Sequence, residues 1–579
     1  MRKIDGQIIA NRVLQVFHGG VVVALRQQDI SQLLSLFQQG KYGPVIKKAL
    51  PLIRKHRGVP GLHELAGAAL AATGDFARAE RHLAEAVRLD PKRDIALHNL
   101  ANLYYQSGQY DEAIRQFKAL LNLRPADIDT IRKLGESCLK ADMAQEAVSH
   151  FQFLVDRDDS NIDFWFLLGS AYRALKENVR ASSCFERILS QNADHFEAIY
   201  NLGNICRDTN QSDEAIQFYE RALHLRPNHI STMCNIGLCH INRHALDIAA
   251  SWFQSAVDQD PQNPEPQYLK SLPHFLDGNV KAGFEAAEWR LRLKTQFKVM
   301  YDGPEPAWDG KASLDGKRLI VHAEQGFGDS IMMLRFINLL DPSTTRITVL
   351  VQRELKNLFA ESFDCIEFIE FTDDQAMRLV KRDRGDYQCS LMSLAHLMAP
   401  YWTSLPVARE YLRAPSAVSA KWAKQIPRTE TKRIGLVWRG NPKHVNDHNR
   451  SIALQSLVPL LPTEHDYVAL QKDISITERA LFNAPTSPTI EMLELGDFAD
   501  TAGLCSTLDA VVSVDTSVAH LAGALGLPTM VLLPHVPDWR WELSGSTTPW
   551  YPNMALHRQP AAGDWMPALA SLKNQLAQL

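Results

Sequence analysis

A repeat of 34 residues constrains the fold of this chain more than any other feature of its sequence. A small residue recurs at that spacing, at Gly67, Ala101, Gly135, Gly169, Gly203 and Gly237. An alanine recurs in the same step, at Ala79, Ala113, Ala147, Ala181, Ala215 and Ala249. A bulky residue follows each alanine by four positions, at Leu83, Phe117, Phe151, Phe185, Tyr219 and Phe253. Self-similarity of this length predicts a solenoid, in which each unit packs on its neighbours.

The spacing predicts a pair of helices in each unit. Small residues allow two helices to approach closely, and the bulky residue four positions after the alanine lies on the same helix face, where it fills the groove. Proline then ends the second helix of four units, at Pro91, Pro125, Pro227 and Pro261. This pattern matches the tetratricopeptide repeat (TPR). Degenerate units at residues 33–53 and 264–294 flank the regular copies and serve as end caps.

Asparagines recur on the first helix of several units, which lines the concave face of such a solenoid. They occupy two fixed repeat positions, at Asn99, Asn102, Asn201, Asn204 and Asn235. Because an amide both donates and accepts hydrogen bonds, such a row can hold an extended peptide whatever its sequence. The arrangement resembles the asparagine ladder of O-GlcNAc transferases, which implies an acceptor protein bound by the TPR concave face. Exposed surface amides, or packing between repeats, are the alternative.

A different pattern begins after turn-rich residues at 302–310. Short β-rich runs alternate with helical patterns, which predicts parallel sheets. The predicted strands are residues 319–322, 346–351, 433–438, 467–470, 510–514 and 530–533, and the predicted helices include 330–340 and 517–525. A polar, proline-containing stretch at 415–432 divides this region into two α/β halves with a ligand cleft between them. The predicted segments are an N-terminal helical region with the degenerate first repeat (1–59), the TPR solenoid (60–294), a linker (295–315) and two α/β halves (316–426 and 427–579).

The overall charge and the cysteine pattern exclude several classes of protein. A net charge of −4 over 579 residues removes the electrostatic case for a nucleic-acid or anionic-membrane binder. No stretch approaches the ~18 apolar residues of a membrane span. Polar residues interrupt the apolar region that a signal peptide would need after Arg2 and Lys3. The eight cysteines form no C-x-x-C pair, so we expect no metal site and a cytoplasmic protein with reduced thiols.

The first candidate functional loop spans residues 324–329, directly after a predicted strand. Gly326 and Gly328 let the backbone turn tightly beside a ligand, and the next helix begins with free N–H groups. The loop is not the dinucleotide fingerprint, because Ile331 stands where the third glycine belongs, and it is not a Walker A loop. Asp329 is either a functional acid or a favourable first-turn acid of the helix.

The second loop begins the helix predicted at 517–525. Thr516, Ser517 and their N–H groups can hold a phosphate, and His520 lies about one turn further along. The alternative is that Asp515 or Thr516 caps the helix and that His520 is a core histidine with satisfied hydrogen bonds.

The third loop, at residues 438–450, carries three cations in an otherwise near-neutral chain. Arg439, Lys443 and Arg450 suit a phosphate or carboxylate ligand. A solvated basic loop is the alternative.

Together these loops resemble those of the GT-B glycosyltransferases of the ADP-heptose–lipopolysaccharide heptosyltransferase type. The resemblance implies an α-solenoid followed by an α/β GT-B domain made of two Rossmann-like halves. It implies that Asp329 is the general base on the acceptor hydroxyl, and that Asp515, Thr516 and His520 hold the donor phosphates and sugar. Ser517 replaces the glycine of that family's motif. The family's donor-binding lysine corresponds to Lys443 or Arg450, and the choice between them stays open.

The chain is also similar over nearly its whole length to bacterial proteins that join TPRs to this domain. Residues 322–326, 438–442, 497–501 and 537–541 carry that similarity. Some members modify flagellin with nonulosonic sugars and hold the acceptor protein with the TPR part.

These resemblances imply a metal-independent glycosyltransferase that uses a nucleotide sugar as donor substrate and needs no cofactor. Protein O-glycosylation, with flagellin as a candidate acceptor, is the leading hypothesis. One alternative is a surface-polysaccharide or lipopolysaccharide transferase in which the TPRs are a scaffold. Another is a non-catalytic TPR adaptor with a vestigial GT-B domain.

Overall fold

The structure is a computed structural model that describes residues 27–293, 301, 303–372, 374, 377–378, 380, 383–406, 409–444, 446–482 and 488–579. The N-terminal segment from which a signal peptide was rejected, and part of the predicted linker, lie outside the described residues. The chain divides into two compact units. The first contains the described residues up to Thr209 together with Glu220–Leu225, and the second contains Asn210–Tyr219 and Arg226–Leu579.

The first unit is a stack of antiparallel helix pairs. Its helices are Gln27–Gln38, Tyr42–Lys55, Pro60–Ala72, Phe76–Leu89, Asp94–Gln106, Tyr110–Leu123, Ile128–Lys140, Ala144–Arg157, Ile162–Ala174, Asn178–Gln191 and Phe196–Asp208. The predicted TPR solenoid is confirmed here, with a first helix of 13 residues and a second of 14 in the regular units. The degenerate first repeat forms the pair that begins at Gln27, and Gly40 makes its turn at φ +69°.

Close approach of the two helices explains the small residues of the repeat. A Cβ on Gly67 would lie 2.7 Å from Cγ of Leu83, and a Cβ on Gly169 would lie 3.0 Å from Cε1 of Phe185. Leu83 and Phe185 are themselves buried. A side chain at these glycines would therefore enter space that the bulky residue already fills.

The second unit starts with helices and continues into two sheets. Its helical part contains Ile230–Asn242, Leu246–Gln259, Pro264–Leu269, Ser271–Leu276, Val280–Ala287 and a 3₁₀ turn at Glu288–Arg292. The helix Ser212–Leu225 contributes residues to both units. The degenerate last repeat has an interrupted first helix, because Pro273 has no N–H to donate to Leu269.

Ten strands among the described residues form two parallel sheets. The first sheet has the order β3-β2-β1-β4, with β1 Arg318–His322, β2 Arg346–Val351, β3 Glu367–Glu370 and β4 Tyr387–Ser390. The second has the order β10-β9-β8-β5-β6-β7, with β5 Arg433–Val437, β6 Asp466–Ala469, β7 Ile490–Met492, β8 Ala510–Val514, β9 Thr529–Leu533 and β10 Met554–Arg558. Each pairing is parallel, as predicted.

Helices connect these strands and cover the sheets. They are Phe327–Met333, Arg353–Ser362, Leu394–Leu397, Ser416–Gln425, Asp447–Arg450, Leu454–Leu457, Ile476–Phe482, Phe498–Cys505, Ser517–Ala524 and Met566–Leu576, with 3₁₀ turns at Leu334–Leu339, Ala399–Tyr401, Val458–Leu460 and Trp539–Trp541. One apolar core contains Phe284 of the last repeat, Val321 of β1 and Val531 of β9. The last repeat and both sheets therefore share a core within the second unit.

The predicted elements of this region differ from the structure in two respects. All six predicted strands are present, but β3, β4, β7 and β10 were not predicted. The predicted helix at 330–340 begins earlier, at Phe327, and tightens into a 3₁₀ turn from Leu334. The helix predicted at 517–525 begins at Ser517, and Gly526 follows its end at φ +77°.

No helix within the described residues is both long enough and apolar enough to cross a bilayer. The eight cysteines all lie within the described ranges, and none of them forms a disulfide.

Candidate functional site

The loops identified from the sequence lie at the carboxyl ends of strands, one in the first sheet and two in the second. The first loop follows β1, the third follows β5, and the second follows β8. In the second sheet β5 pairs with both β6 and β8, so the chain reverses its direction of winding between β5 and β8. Loops that leave such a switch point diverge and open a crevice, which is where open α/β sheets bind their ligands.

The first loop contacts the helix of the second loop at Gly328. A Cβ on this glycine would lie 2.9 Å from Cδ2 of His520 and 3.5 Å from Cα of Ser517. Gly328 therefore permits an approach that a larger residue would prevent. The structure brings together two loops that are separated by almost 190 residues in the sequence.

Asp329 is engaged by two groups. Its Oδ2 accepts a hydrogen bond from the Gly326 N–H at 3.0 Å, so it caps the helix that begins at Phe327. Its Oδ1 forms an ion pair with Arg540, which follows β9. Asp329 is therefore a favourable first-turn acid of the helix, one of the two roles that the sequence left open. It also contacts Arg540, which follows a strand of the second sheet.

Arg540 is a buried cation between two acids. It pairs with Asp538 as well as Asp329, and its Cζ lies 4.4 Å from the ring centroid of Trp539. Burial lowers the pKa of Arg540 to about 10. The guanidinium thus stays charged at neutral pH and neutralises carboxylates from both sheets.

His520 lies in an aromatic pocket. Its Nδ1 is 3.1 Å from the Tyr551 hydroxyl, and its ring stacks on Trp541 with centroids 5.1 Å apart. Burial, together with the positive charge of Arg335, lowers the pKa of His520 to about 3. The imidazole is therefore neutral at physiological pH, and Nε2 makes no hydrogen bond to another described residue.

Arg335 supplies the charge beneath this histidine. Its side chain is buried, its Nη1 donates to the Trp550 carbonyl at 2.6 Å, and its Nη2 donates to the Tyr411 hydroxyl at 3.2 Å. Its Cζ lies 4.6 Å from the ring centroid of Tyr551. Within the described residues it forms no ion pair, so aromatic rings and carbonyl dipoles compensate its charge.

Two acids with perturbed pKa values, Asp515 and Asp538, follow β8 and β9. Burial raises the pKa of Asp515, and the charge of Arg450 opposes that rise. Burial also raises the pKa of Asp538, with a further rise from the negative charge of Asp515. Carboxylates with perturbed pKa values are typical of functional sites, and of these two acids Asp538 forms an ion pair with Arg540.

The three predicted cations occupy different environments. Arg450 donates to the Asp515 carbonyl at 3.2 Å and lies 3.3 Å from Asp447, and so reaches the loop after β8. Arg439 instead forms an ion pair with Glu478 at 3.3 Å, and Lys443 is exposed. Of the three, Arg450 is the one that meets the second loop.

The helix start after β8 has unpaired N–H groups. The Thr516 hydroxyl lies 3.0 Å from the Ser513 hydroxyl and does not cap the helix. The N–H groups of Ser517 and Val518 in the first turn have no intrahelical acceptor, as at the start of any α-helix. The capping role considered for Thr516 is therefore absent, and the helix begins just after the carboxyl end of β8.

The last repeat contributes a further buried ion pair beside the first loop. Arg290 donates to Oε1 of Glu324 from Nε at 2.9 Å and from Nη2 at 2.7 Å. It also donates to the Ser393 hydroxyl at 2.9 Å. Arg290 and Glu324 are both buried, so the end of the repeat array is fastened to the loop that carries Asp329.

Sequence reasoning missed Arg540, Asp538, Tyr551, Arg335 and Arg290 as site residues. Residues 537–541 were identified only as a segment of similarity, although acidic, basic and aromatic side chains alternate there. Arg335 and Arg290 lie in helical segments, where an arginine is normally expected to be exposed to solvent. Their burial depends on contacts between distant segments.

The asparagines of the first unit make contacts within the repeats. Asn102 accepts from Lys133 Nζ at 2.6 Å and donates to the His98 carbonyl at 2.8 Å. Asn201 accepts from Arg173 and donates to the Glu197 carbonyl at 2.7 Å. Asn102 and Asn201 therefore fit the alternative in which the amides pack between repeats.

The other asparagines of the predicted row differ in their surroundings. Asn204 is buried, and Nδ2 of Asn99 is buried with no hydrogen-bond partner in the described part of the chain. In the second unit, Asn235 is also buried.

Comparison with known proteins identifies the repeats. Models of the tetratricopeptide repeat match residues 70–134, 162–195 and 196–229. Among curated proteins, the protein FlbA of Caulobacter vibrioides is 24% identical in an alignment 347 residues long, which covers 55% of this chain and 57% of FlbA. The chain thus spans little more than half the length of that relative.

Solved structures also resemble part of the chain. A crystal structure of MamA is 24% identical and covers 30% of this chain and 94% of its own, with a TM-score of 0.27. YrrB, described as a TPR protein with an unusual peptide-binding site, is 20% identical and covers 32% of this chain and 95% of its own, with a TM-score of 0.29.

Proposed function

We propose that this protein is a glycosyltransferase that moves a sugar from a nucleotide sugar to a protein held by its TPRs. One observation carries the proposal: loops from both sheets meet, with Gly328 against His520 and Asp329 paired with Arg540. Both sheets of the GT-B glycosyltransferases that the sequence resembles contribute to one site. A constellation that joins an acid, a neutral imidazole and buried arginines suits transfer from an anionic leaving group.

The donor nucleotide sugar binds at the second sheet in this proposal. Its phosphate is held by the free N–H groups of Ser517 and Val518 at the helix start. Arg450, which donates to the Asp515 carbonyl at 3.2 Å, offsets the phosphate charge. The neutral His520 offers Nε2 to a sugar hydroxyl or a phosphate oxygen. Each of these arginines pairs with an acid, Arg450 with Asp447 and Arg439 with Glu478. Arg450 suits this role better because it also contacts the loop after β8.

Asp329 is the general base of the proposed reaction. A carboxylate paired with a guanidinium is a weak base, since the cation stabilises its ionised form. We infer that Arg540 turns toward the donor phosphates when the nucleotide sugar binds and so releases Asp329. The freed carboxylate takes the proton of the acceptor hydroxyl. A bond then forms between the acceptor oxygen and the anomeric carbon, the bond from that carbon to the phosphate oxygen breaks, and the nucleotide leaves with the electron pair.

The acceptor is a protein in this proposal, with flagellin as the candidate and a nonulosonic sugar as one possible group transferred. Support for a protein acceptor comes from the TPRs, whose usual role is to bind other proteins, and from the resemblance to flagellin-modifying members. The buried Arg290–Glu324 pair would connect the end of the repeat array to the loop that carries the general base.

Transfer assays with a panel of labelled nucleotide sugars test the reaction. We expect Asp329→Asn to lower transfer by about 10²-fold or more while donor binding, followed by thermal shift, is retained. Arg450→Gln should weaken donor binding, and Arg439→Gln serves as the matched control that leaves it almost unchanged. Full transfer by folded Asp329→Ala and His520→Ala variants would overturn the site assignment.

A second candidate function is favoured by the Asp329–Arg540 pair itself. If the pair stays closed, the domain binds a nucleotide sugar without turning it over, and the chain is a TPR adaptor. Donor binding that is equal in the wild type and in Asp329→Asn, with no transfer to any acceptor by either, would support this role. Transfer to a purified glycan with no modification of protein would instead support the polysaccharide alternative.

A further inference from the structure

Three side chains of metal-binding type converge in the first unit. The Cys138 sulfur, a Glu146 carboxylate oxygen and a His150 ring nitrogen all lie within 4.8 Å of one another. Cys138 comes from the helix Ile128–Lys140, and the other two come from one face of the next helix, Ala144–Arg157, one turn apart. The searched part of the chain, limited to the described residues, contains no second group of three or more such side chains at this separation.

The separations suit a tetrahedral ion. Nε2 of His150 lies 3.6 Å from Oε1 of Glu146. Ligands that bind zinc at 2.0–2.3 Å in tetrahedral geometry lie roughly 3.3–3.8 Å from one another. A small inward movement of the side chains would therefore bring all three donors to bonding distance of one ion.

An unsatisfied atom points to a missing ligand. Nε2 of His150 is buried and makes no hydrogen bond among the described residues, and its contact with Oε1 of Glu146, at 3.6 Å, is too long for one. Buried polar atoms in folded proteins are nearly always paired, because an unpaired one forfeits its bond to water. The Cys138 thiol on the other side of the cluster is also buried, in the apolar core of the repeats.

The repeat itself provides an internal comparison. Helix packing does not require these residue types, because the equivalent positions of the other regular units differ. The equivalents of Cys138 are Leu70, Tyr104, Tyr172, Cys206 and His240. Those of Glu146 are Arg78, Glu112, Arg180, Glu214 and Ile248, and those of His150 are His82, Gln116, Cys184, Phe218 and Trp252. Only the third regular unit combines a thiol, a carboxylate and an imidazole.

We propose that Cys138, Glu146 and His150 form a zinc site that joins the two helices of this hairpin. A thiolate and an imidazole select zinc over harder cations, and water fills the fourth position. Zinc displaces the thiol proton, which leaves to solvent, and the thiolate sulfur bonds to the ion. Glu146 and His150 are partly exposed, so the ion can enter from the surface of the helix pair.

Lys118 competes with the ion for Glu146. Its Nζ lies 2.6 Å from Oε1 of Glu146. Because the lysine side chain is half exposed, it can turn into solvent when zinc binds. Removal of the ammonium should therefore strengthen zinc binding, a result that a merely structural ion pair does not predict.

Titration of the reduced, metal-stripped full chain with Zn²⁺ against a chromophoric chelator tests the proposal. We expect the wild type to bind one more equivalent than His150→Gln and to release one proton there. Cys138→Ser and Glu146→Gln should weaken that site at least tenfold, and Lys118→Met should tighten it severalfold. Cys184→Ser is the matched control, because this cysteine is also buried, in the next repeat, but belongs to no group of three metal-ligating side chains among the described residues.

Equal stoichiometry and affinity in the wild type and in His150→Gln would overturn the proposal, as would equal binding by Cys138→Ser. If Cys138→Ser does not fold, the partly exposed Glu146 and His150 variants still provide the comparison. Co²⁺ in place of Zn²⁺ provides a second readout: a thiolate charge-transfer band that is lost in Cys138→Ser supports the site, and its absence in the wild type rejects it.

Discussion

At the scale of single residues, Gly328 allows the first and second loops to pack closely because it has no side chain. Its α-hydrogen faces the His520 ring, which a Cβ would approach to 2.9 Å. We expect Gly328→Ala to destabilise the protein by about 1–3 kcal/mol, because overpacking forces a well-packed contact apart. Gly326→Ala is the control, since its Cβ would meet only Oδ2 of Asp329, at 3.2 Å. Urea unfolding of both variants makes the comparison, and equal loss would contradict the assigned contact.

Arg540 and Asp329 are unequal partners of one partly buried ion pair. Arg540→Met removes the cation from both Asp329 and Asp538. We expect a loss of about 1–3 kcal/mol in the free energy of unfolding, because both carboxylates keep partial access to water. Asp329→Asn leaves Arg540 paired with Asp538 and keeps an acceptor for the Gly326 N–H. Its loss should therefore be clearly smaller. Chemical denaturation at neutral pH measures both, and an equal loss would show that Asp538 does not pair with the guanidinium.

His520 makes the stability of the protein depend on pH. Its pKa is about 3 in the folded state, against 6.5 for a free histidine. Between these values the unfolded chain binds the proton and the folded protein does not, so stability falls as pH drops from 6.5 toward 3. The contribution is roughly 4–5 kcal/mol across that window.

The comparison of wild type with His520→Gln isolates this contribution. Glutamine keeps a polar contact for the Tyr551 hydroxyl but does not titrate. We expect the unfolding free energy of the variant to depend less on pH between 6.5 and 3 than that of the wild type. The difference in slope corresponds to up to one proton that the wild type takes up on unfolding and the variant does not. Identical slopes would mean that His520 is protonated in the folded state over the same pH range as in the unfolded chain.

At the scale of the elements, helix pairs are the parts of the fold that the sequence predicts best. The small residue, the alanine and the bulky residue lie on two helices of one hairpin, so their contact is local and repeats with the chain. The strands β3, β4, β7 and β10 were missed because they have three to five residues and carry polar side chains among the apolar ones. Their pairing with neighbouring strands makes them strands, and periodicity over so few residues does not reveal it.

The small-residue position of the repeat, occupied by Gly237 in one unit, provides a test at the scale of the elements. A Cβ on Gly237 would lie 2.5 Å from Cε1 of Phe253. Gly237→Ala should gain up to about 1 kcal/mol in helix propensity but lose about 1–3 kcal/mol to overpacking, for a net destabilisation of up to roughly 2 kcal/mol. Ala101, which occupies the same slot beside Phe117, is the reference for a hairpin that accepts a methyl group. A higher melting temperature for Gly237→Ala would contradict the close packing.

At the scale of the whole molecule, the last repeat belongs to the same compact unit as the two sheets. Phe275 of that repeat stacks on Trp539 with ring centroids 4.1 Å apart, and Arg290 pairs with the buried Glu324. A fragment that begins at residue 301 loses both contacts. We expect it to expose apolar surface, aggregate and melt lower than a fragment of residues 226–579.

Size-exclusion chromatography and thermal melts of the two fragments measure this difference. Arg290→Met in the full chain separates the ion pair from the apolar contacts, and its loss should be about 3–5 kcal/mol, since it leaves Glu324 buried without its cation. Equal melting temperatures for the two fragments would show that the sheets do not depend on the last repeat.

The sequence by itself determined the repeats, their hairpin packing, the presence of parallel sheets and the positions of the three loops. These features depend on contacts between residues close in the chain, or on strand ends that share one edge of a sheet. Only the tertiary structure decided which charges meet: Arg540 with Asp329, Arg450 with the loop after β8, and Arg290 with Glu324. The physical reason is that the burial and pairing of a charge depend on segments far apart in sequence, and their approach leaves no periodic signal.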